Sequence, residues 1–432
     1  MSLMPRSQRT LLGAKKTKKV HALENMSALL DVQSKGHNSS EEVVSDGRSE
    51  QQDAMMMPAK DVVEVGVVLV SSALDGDDHD DSAAHTQEEE EEEEEEDSVV
   101  NEKFANVPFN NLSCEFGIRE FRPGKPWSAI RELHRTLDPQ RDVVERSACQ
   151  TAAGRALWNH VIHDPLAEVL AGDSFLSSLQ EKMKKDWQSN AREVPGVMLA
   201  VRTLWFDSRL SQALNRFPPY CTPQVVLLGA GMDARAYRMS SLKECSVFEV
   251  DFLKVVQLKE SLLQALVDGG QMLPELHAKS VQRVAADVAS QDWFLRLVNA
   301  GFNQDWPTVW MLEGFLYYLH EFDAKETLKC ISLNCKNETI LLADFMNESS
   351  THMARELDTH FYFHSDWPEE LLPHLGFSNV KVSQIGDVDA NFGLLEDELN
   401  LFNQIRQVPR HIKADIHGKP YRRLLLVETR AP

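Results

Sequence analysis

The sequence predicts an α/β protein in which a doubly wound, Rossmann-like parallel sheet follows a helical region. After Pro218-Pro219, short apolar runs such as VVLL and ILLA alternate with amphipathic helical stretches. Apolar strands of this kind are typical of a parallel sheet that helices cover on both faces. The run 225–234, VVLLGAGMDA, also leads a strand directly into a Gly-Ala-Gly turn. Such a turn indicates a nucleotide-binding edge at the carboxyl ends of the strands.

The first part of the chain differs in composition from the rest. Residues 1–100 contain 9 Lys and Arg against 24 Asp and Glu, a balance of −15 within the total of −22 for 432 residues. Nine consecutive glutamates, Glu88–Glu96, repel one another and bury no apolar surface. We therefore predict a disordered acidic tail over residues 1–105. The glutamate run fits either binding to basic partners or a solubilising linker.

The extreme N-terminus is basic, with Lys15-Lys16 and Lys18-Lys19 and no acid before Glu24. A transit peptide, a nuclear-localisation cluster and a solvated tail are all compatible with it. No secretory signal, no run of about 18 apolar residues and no metal-binding cysteine spacing is present. We expect an intracellular, cytoplasmic protein, with organellar or nuclear targeting as the alternative, and no membrane association and no metal. The mildly acidic remainder of the chain predicts no nucleic-acid partner.

Residues 120–432 are predicted to form one domain with a helical cap over about 127–216 and an α/β core over about 220–432. Apolar residues at three- and four-residue intervals predict the cap helices 127–137, 143–160, 165–186 and 195–216. In the core, the pattern predicts strand 224–228, helix 233–240, strand 246–250, helix 252–267, strand 281–285, helix 291–299, strand 308–312, helix 321–335 and strand 338–344. The last two strands, 378–384 and 422–428, are typical of an antiparallel edge pair.

The glycine turn and the acid that follows the next strand fit two enzyme classes. Gly229, Gly231 and Asp251, twenty residues past the second glycine, suit the adenosine of a nicotinamide dinucleotide and that of S-adenosylmethionine (SAM) alike. Asp233 separates the two, because a pyrophosphate needs a helix N-terminus without negative charge, whereas SAM is cationic. Asp233 is also the predicted N-cap of helix 233–240. Glu313, after the apolar run VWML, is costly to bury unless it is paired, and it also disfavours the dehydrogenase.

Several ordered motifs resemble one family. The segment GAGMDARAYR followed by FEVDF is similar to the motif pair of the leucine carboxyl methyltransferase family and its bacterial and plant-type O-methyltransferase relatives. The resemblance extends over about residues 143–430. Its other motifs are, in chain order, QTAA with Arg155, HDPLAEVL, VRT with WFDSRL, ADV, LEG with FLYYL, and SDWPEELLPHLGF.

The resemblance implies that SAM is the cofactor and gives individual residues a role toward it. It implies that Arg202 binds the methionyl carboxylate, Gly229 and Gly231 allow close approach of the backbone, and Asp251 binds the ribose hydroxyls. It also implies that Asp287 and Val288 contact the adenine edge and that Glu313 binds the amino group. Arg155 and Asp233 are expected among the cofactor-binding residues as well. Structural alternatives stay open: a surface arginine at 202, a loop cap at Asp287 and a solvent-facing Arg155.

The methyl acceptor is not predicted beyond an oxygen, carboxyl or hydroxyl, of a small molecule or protein. Tyr317 and Tyr318 are expected either to line its pocket or to pack in the core. A carboxylate acceptor needs no general base, whereas a hydroxyl benefits from one, for which the candidates are His320, His360 and His364. Leu253 stands where relatives often carry proline, a departure that bears on the substrate. The alternative function is a SAM-binding regulatory protein that recruits partners through its acidic tail.

Overall fold

The computed structural model describes residues 128–188, 196–218, 220–335, 338–356, 361–395 and 401–431. The predicted tail over 1–105, its glutamate run and the predicted domain start at residue 120 lie outside these residues, and so does His360. In the described ranges, no helix has both the length and the apolar content that crossing a bilayer requires.

The cap region contains more helices than its periodicity predicts. They are α1 (Ser128–Leu137), α2 (Val143–Leu157), α3 (Asn159–Ile162), α4 (Ala167–Ala171), α5 (Asp173–Gln188) and α6 (Val197–Leu214). The predicted helix 165–186 is interrupted at Gly172, whose φ of +83° ends α4. Helix α2 begins with a capping box, in which the Asp142 side chain accepts hydrogen bonds from the amides of Val144 and Glu145.

The predicted α/β alternation is confirmed as a seven-stranded sheet. Its strands are β1 (Gln224–Leu228), β2 (Ser246–Asp251), β3 (Ser280–Ala285), β4 (Thr308–Leu312), β5 (Thr339–Met346), β6 (Ser378–Gln384) and β7 (Leu424–Ala431). The helices that alternate with them are α7 (Leu253–Asp268), α8 (Trp293–Asn299), α9 (Glu321–Asn334), α10 (Glu348–Glu356), α11 (Pro368–His374) and α12 (Leu401–Gln407). The strand order is β3-β2-β1-β4-β5-β7-β6. Strands β1 to β5 are parallel, and β7 pairs antiparallel with both β5 and β6, as predicted for the late pair.

The helix predicted over 233–240 is wrong. The segment between β1 and β2, all of which the structure describes, contains two 3₁₀ turns, Arg235–Tyr237 and Ser240–Leu242, and no α-helix. Its two arginines do not project into solvent as on a surface helix. Instead Arg235 and Arg238 both form ion pairs with Asp207 of α6, and these tertiary contacts override the local helical propensity.

Apolar side chains cover the sheet on both faces. Val225 and Leu227 point into one apolar layer with the cap helices, whereas Val226 and Leu228 point into a second layer with α8 and α9. The strands are therefore buried on both sides, as the apolar runs predict. Because β1, β2 and β4 are parallel, the residues that follow their carboxyl ends gather at one edge of the sheet.

Candidate functional site

The turn after β1 is shaped by two glycines in left-handed conformations. Gly229 has a φ of +68° and Gly231 a φ of +49°. A Cβ atom at position 229 would lie 2.3 Å from Cδ2 of Phe315, and one at position 231 would lie 3.3 Å from Cβ of Ala148. A side chain at position 229 would therefore require the Phe315 ring to move.

Asp251 ends β2 directly opposite this turn. Its Oδ2 accepts a hydrogen bond from the Gly231 amide at 2.7 Å, and its Oδ1 accepts one from the Phe252 amide at 2.7 Å. Burial raises the pKa of the carboxyl, and the two amide hydrogen bonds oppose that shift. A carboxylate has about four acceptor sites, so these two bonds leave acceptor capacity for a ligand.

Asp233 does not cap an α-helix as predicted. Its Oδ1 accepts a hydrogen bond from the Arg235 amide at 2.7 Å, and its other oxygen forms an ion pair with the Arg235 guanidinium. Burial alone would raise the pKa of Asp233, but Arg235, Arg155 and Lys259 outweigh it and lower the pKa to about 2. The carboxylate is thus ionised and already paired within the protein.

Arg202 and Glu313 are predicted site residues from distant segments of the sequence, and they are in contact. Arg202 Nε lies 3.2 Å from Glu313 Oε1, and its Nη1 donates to the Tyr317 hydroxyl at 3.2 Å. The surface alternative for Arg202 is wrong, because its side chain is buried. Burial opposes the charge of Arg202, but Tyr317, Asp344 and Glu313 raise its pKa.

Arg235 and Asp207 are two members of this site that the sequence analysis missed. Arg235 contacts three carboxylates: Asp207 at 2.6 Å, Glu313 at 2.6 Å and Asp233. Asp207 also accepts from both terminal nitrogens of Arg238. Both residues lie in motifs quoted from the sequence, DARAYR and WFDSRL, but no pattern in the sequence indicated that Arg235 and Asp207 pair.

Asp344 is a third residue that the sequence analysis missed. It lies in β5 and is fully buried. Its Oδ1 accepts a hydrogen bond from the Gly314 amide at 2.8 Å, and its Oδ2 lies 3.5 Å from Nη1 of Arg202. Burial raises the pKa of Asp344 to about 6, although Arg202 and the Gly314 amide oppose the shift. A signal was present, because an acid interrupts the apolar run ILLADF.

Arg155 supports the glycine turn from the cap, and the solvent-facing alternative is wrong. Its Nε donates to Asp164 at 2.8 Å, and its Nη2 donates to the Met232 carbonyl at 2.5 Å. Both arginine and aspartate are buried. Its observed contacts are therefore with the protein.

Asp287 and Val288 follow β3, which lies two positions from β1 in the strand order. Asp287 is exposed, and its Oδ1 accepts a hydrogen bond from the Ala289 amide at 2.9 Å. This is the loop-cap arrangement that the sequence analysis left open. Val288 packs against the apolar layer of α8 and α9. Both residues follow β3, next to β2 in the sheet, and their contact with adenine stays a prediction.

The aromatic residues after β4 form a cluster beside the site. Tyr317 is buried and packs edge-on against Phe361 with ring centroids 4.7 Å apart. The Tyr318 hydroxyl lies 2.7 Å from the Ser147 hydroxyl of α2. Of the candidate bases, His320 is exposed and packs on Tyr362, at a centroid distance of 4.1 Å. His364 instead lies with its Nδ1 3.4 Å from the Thr351 hydroxyl.

Comparisons with known proteins place the chain in a family. The family model described as "Leucine carboxyl methyltransferase" matches residues 148–332. A relative from Mycolicibacterium vanbaalenii, named "Putative S-adenosyl-L-methionine-dependent methyltransferase", is 32% identical over 218 residues, which are 48% of this chain and 70% of the relative. The chain belongs to the leucine carboxyl methyltransferase family.

The chain spans only part of the length of its relatives. A second relative of the same name and organism is 34% identical over 200 residues, but the chain spans only 61% of its length. Among solved structures, a duf574 family protein from Streptomyces avermitilis matches with a TM-score of 0.39 and 9% identity, over 59% of this chain and 90% of that one. The magnesium protoporphyrin IX methyltransferase from Synechocystis, solved with bound SAH, matches with a TM-score of 0.31 and 11% identity, over 54% and 87%.

Proposed function

We propose that this chain binds SAM and transfers its methyl group to an oxygen, carboxyl or hydroxyl, of a small molecule or protein. One observation carries the proposal: Arg202 and Glu313 are in contact at the edge of the sheet where Asp251 faces the glycine turn. A guanidinium and a carboxylate side by side match the carboxylate and ammonium of an α-amino acid. A carboxylate at the end of β2 matches ribose hydroxyls.

The chain's own residues fit this cofactor. Arg202 would bind the methionyl carboxylate, and Glu313, whose Oε2 is already fixed by Arg235, would bind the ammonium through Oε1. Asp251 would accept the ribose hydroxyls with the acceptor capacity that the Gly231 and Phe252 amides leave free. Asp287 and Val288 would meet the adenine, since they follow β3 beside β2.

The segment after the glycine turn disfavours a dinucleotide. Pyrophosphate sites in Rossmann folds use the N-terminus of the α-helix that follows the turn. Here two 3₁₀ turns occupy that position, and the ionised Asp233 stands beside them. These features favour SAM over a nicotinamide cofactor.

When bound, SAM supplies an electrophilic methyl group on a sulfonium. The work of the protein is to hold donor and acceptor in line and to exclude water. Tyr317 and Phe361 provide an apolar wall beside Arg202. The raised pKa of Tyr317, caused by burial and by Asp344, keeps its phenol neutral. A carboxylate acceptor is already ionised and needs no base, whereas for a hydroxyl acceptor His320 is exposed beside the aromatic cluster.

Isothermal titration of the full chain with SAM and with S-adenosylhomocysteine (SAH) tests the cofactor. We expect both to bind, and Asp251→Ala to weaken binding at least about tenfold, because each hydrogen bond to a charged group contributes about 1.5–3 kcal/mol. Asp268→Asn, at the exposed end of α7, is the matched control and should bind as the wild type does. Equal affinity of the Asp251 variant, or no binding by the wild type, contradicts the proposal.

Labelling tests the chemistry of the acceptor. The chain, methyl-labelled SAM and a lysate of its source organism would be incubated together, and the labelled products identified by mass spectrometry. Label on oxygen is the expected result, and its release by mild base marks a carboxyl ester. Label found only on nitrogen, sulfur or carbon contradicts the oxygen assignment.

A further inference from the structure

We propose that Asp344 is a positioning residue that orients Arg202 and the Gly314 backbone for the amino-acid end of the cofactor. This inference rests on the proposed function. Asp344 lies in β5, an interior strand of the sheet, and it is not among the residues expected to touch the cofactor.

The first contact of Asp344 fixes the backbone next to Glu313. Gly314 has a φ of +65°, a left-handed conformation, and its amide donates to Asp344 Oδ1 at 2.8 Å. A Cβ atom at position 314 would lie 3.2 Å from both terminal nitrogens of Arg202 and from the Tyr317 hydroxyl. The backbone therefore passes close to the guanidinium, and Asp344 holds it there from the neighbouring strand.

The second contact acts on Arg202. Nη1 of Arg202 lies 3.5 Å from Asp344 Oδ2 and 3.2 Å from the Tyr317 hydroxyl, while Nε faces Glu313. Asp344 and Glu313 thus approach the planar guanidinium at two different nitrogens. Two anions on two nitrogens fix the plane of a guanidinium better than one does, and bidentate binding of a carboxylate depends on that plane.

Among the described residues, the ion pairs at this site form one connected group, which contains one more carboxylate than arginines. The connected group consists of three arginines and four carboxylates, which are Arg202, Arg235, Arg238, Asp207, Asp233, Glu313 and Asp344. Asp344 is the most buried of the four acids. Asp344 thus places a second anion on the Arg202 guanidinium, and this contact depends on Asp344 being ionised.

Protonation offers a second way to remove the charge of Asp344. The charged or titratable groups that face it are Arg202 from α6, Glu313 after β4, and Tyr317 and Tyr318 from the 3₁₀ turn Leu316–Tyr318. Its register partner on β7 is the uncharged Leu426. Because the pKa of Asp344 is about 6, the carboxylate is charged at neutral pH and gains a proton below that value.

The test compares two ligands that differ at the amino-acid end. SAH carries the amino acid, whereas 5′-methylthioadenosine has the same adenosine without it. Both would be titrated into the full-length wild type, Asp344→Asn and Glu428→Gln. Glu428 is the matched control, since it is a buried carboxylate on the adjacent β7. It pairs with Arg216 and Arg209, which are not residues of the site.

We expect Asp344→Asn to weaken SAH about tenfold, as for the loss of one charge-assisted contact, while methylthioadenosine changes less than about twofold. The control should change neither. In the wild type, the preference for SAH over methylthioadenosine should fall several-fold between about pH 7.5 and about pH 5.5, and in Asp344→Asn it should stay level.

Four results would overturn the inference. Unchanged SAH affinity in Asp344→Asn removes the role of the charge, and equal weakening of both ligands indicates a purely structural residue. If the asparagine variant does not fold, a ligand preference of the wild type that is independent of pH also overturns it. A wild type that binds neither ligand overturns the proposed function together with this inference.

Discussion

At the scale of the residue, the absence of a side chain at position 229 matters as much as the charged groups do. Gly229 combines a left-handed φ of +68° with the ring of Phe315 packed on its Cα atom. Gly270, just after the end of α7, has a similar φ of +77°, but a Cβ atom added there would have nothing within 4 Å. Alanine substitutions at these two glycines therefore distinguish the free-energy cost of the left-handed backbone from the cost of the contact with Phe315.

We expect Gly270→Ala to lower the free energy of unfolding by about 1 kcal/mol, which is the conformational cost alone. Gly229→Ala should cost a further ~1–3 kcal/mol, because Phe315 must move out of a packed position. Urea unfolding of both variants measures the difference. Equal losses would mean that Phe315 yields freely. In a Phe315→Ala background, Gly229→Ala should cost only the conformational part, about 1 kcal/mol.

The site residues that the sequence predicts and those that it does not differ in their position relative to the strands. Asp251 and Glu313 each follow an apolar strand, so their position at the sheet edge was predictable from the strand pattern. Arg235 and Asp207 were missed because their partners come from distant elements, and a charged residue on a helix usually faces solvent. The sequence pattern predicts where a strand ends, but it does not predict which buried charges pair.

At the scale of the element, α7 supports the glycine turn through a buried lysine. Lys259 is almost fully buried, and its Nζ donates to Glu249 at 2.8 Å and to the Asp233 carbonyl at 2.5 Å. Arg283 of β3 also pairs with Glu249, at 2.9 Å. The helix, two strands and the turn are thus joined by one ion cluster beneath the site.

Two lysines of the same helix should respond differently to substitution. Lys259→Met should lower the free energy of unfolding by about 3 kcal/mol, because it removes one partner of a buried ion pair. Lys254→Met should cost about 0–1 kcal/mol, since the Lys254–Asp142 pair is partly exposed. Chemical denaturation measures both. A loss of less than about 1 kcal/mol for Lys259→Met would show that Arg283 alone satisfies Glu249.

Most elements were predictable because their apolar periodicity is unbroken. Strands 224–228, 308–312 and 378–384 have the predicted bounds, and α7 begins one residue later than predicted, at Leu253. Leu253 is exposed at the first position of α7, where relatives often carry proline, and the helix forms without it. The predicted helix 233–240 is absent because Arg235 and Arg238 both turn inward to Asp207.

At the scale of the whole molecule, ligand binding should stabilise the fold. A ligand at about one hundred times its Kd that binds only the folded state adds about 2.7 kcal/mol to the free energy of unfolding. We expect SAH to raise the melting temperature of the full chain by several degrees and NADH to leave it unchanged. Differential scanning calorimetry measures both. Asp251→Ala is the control, and its tenfold weaker binding should reduce the SAH effect to about half or less. A rise with NADH would favour a dinucleotide site.

The placement of β7 between β5 and β6 has a consequence for biosynthesis. A ribosome releases the chain from its amino end, so β6 emerges before β7, which is its neighbour in the sheet. Until Leu424–Ala431 is released, β5 presents an open edge and β6 lacks the strand with which it pairs. Open strand edges template association between chains. Each round of translation therefore includes an interval in which the five parallel strands can form while β5 still has an unpaired edge.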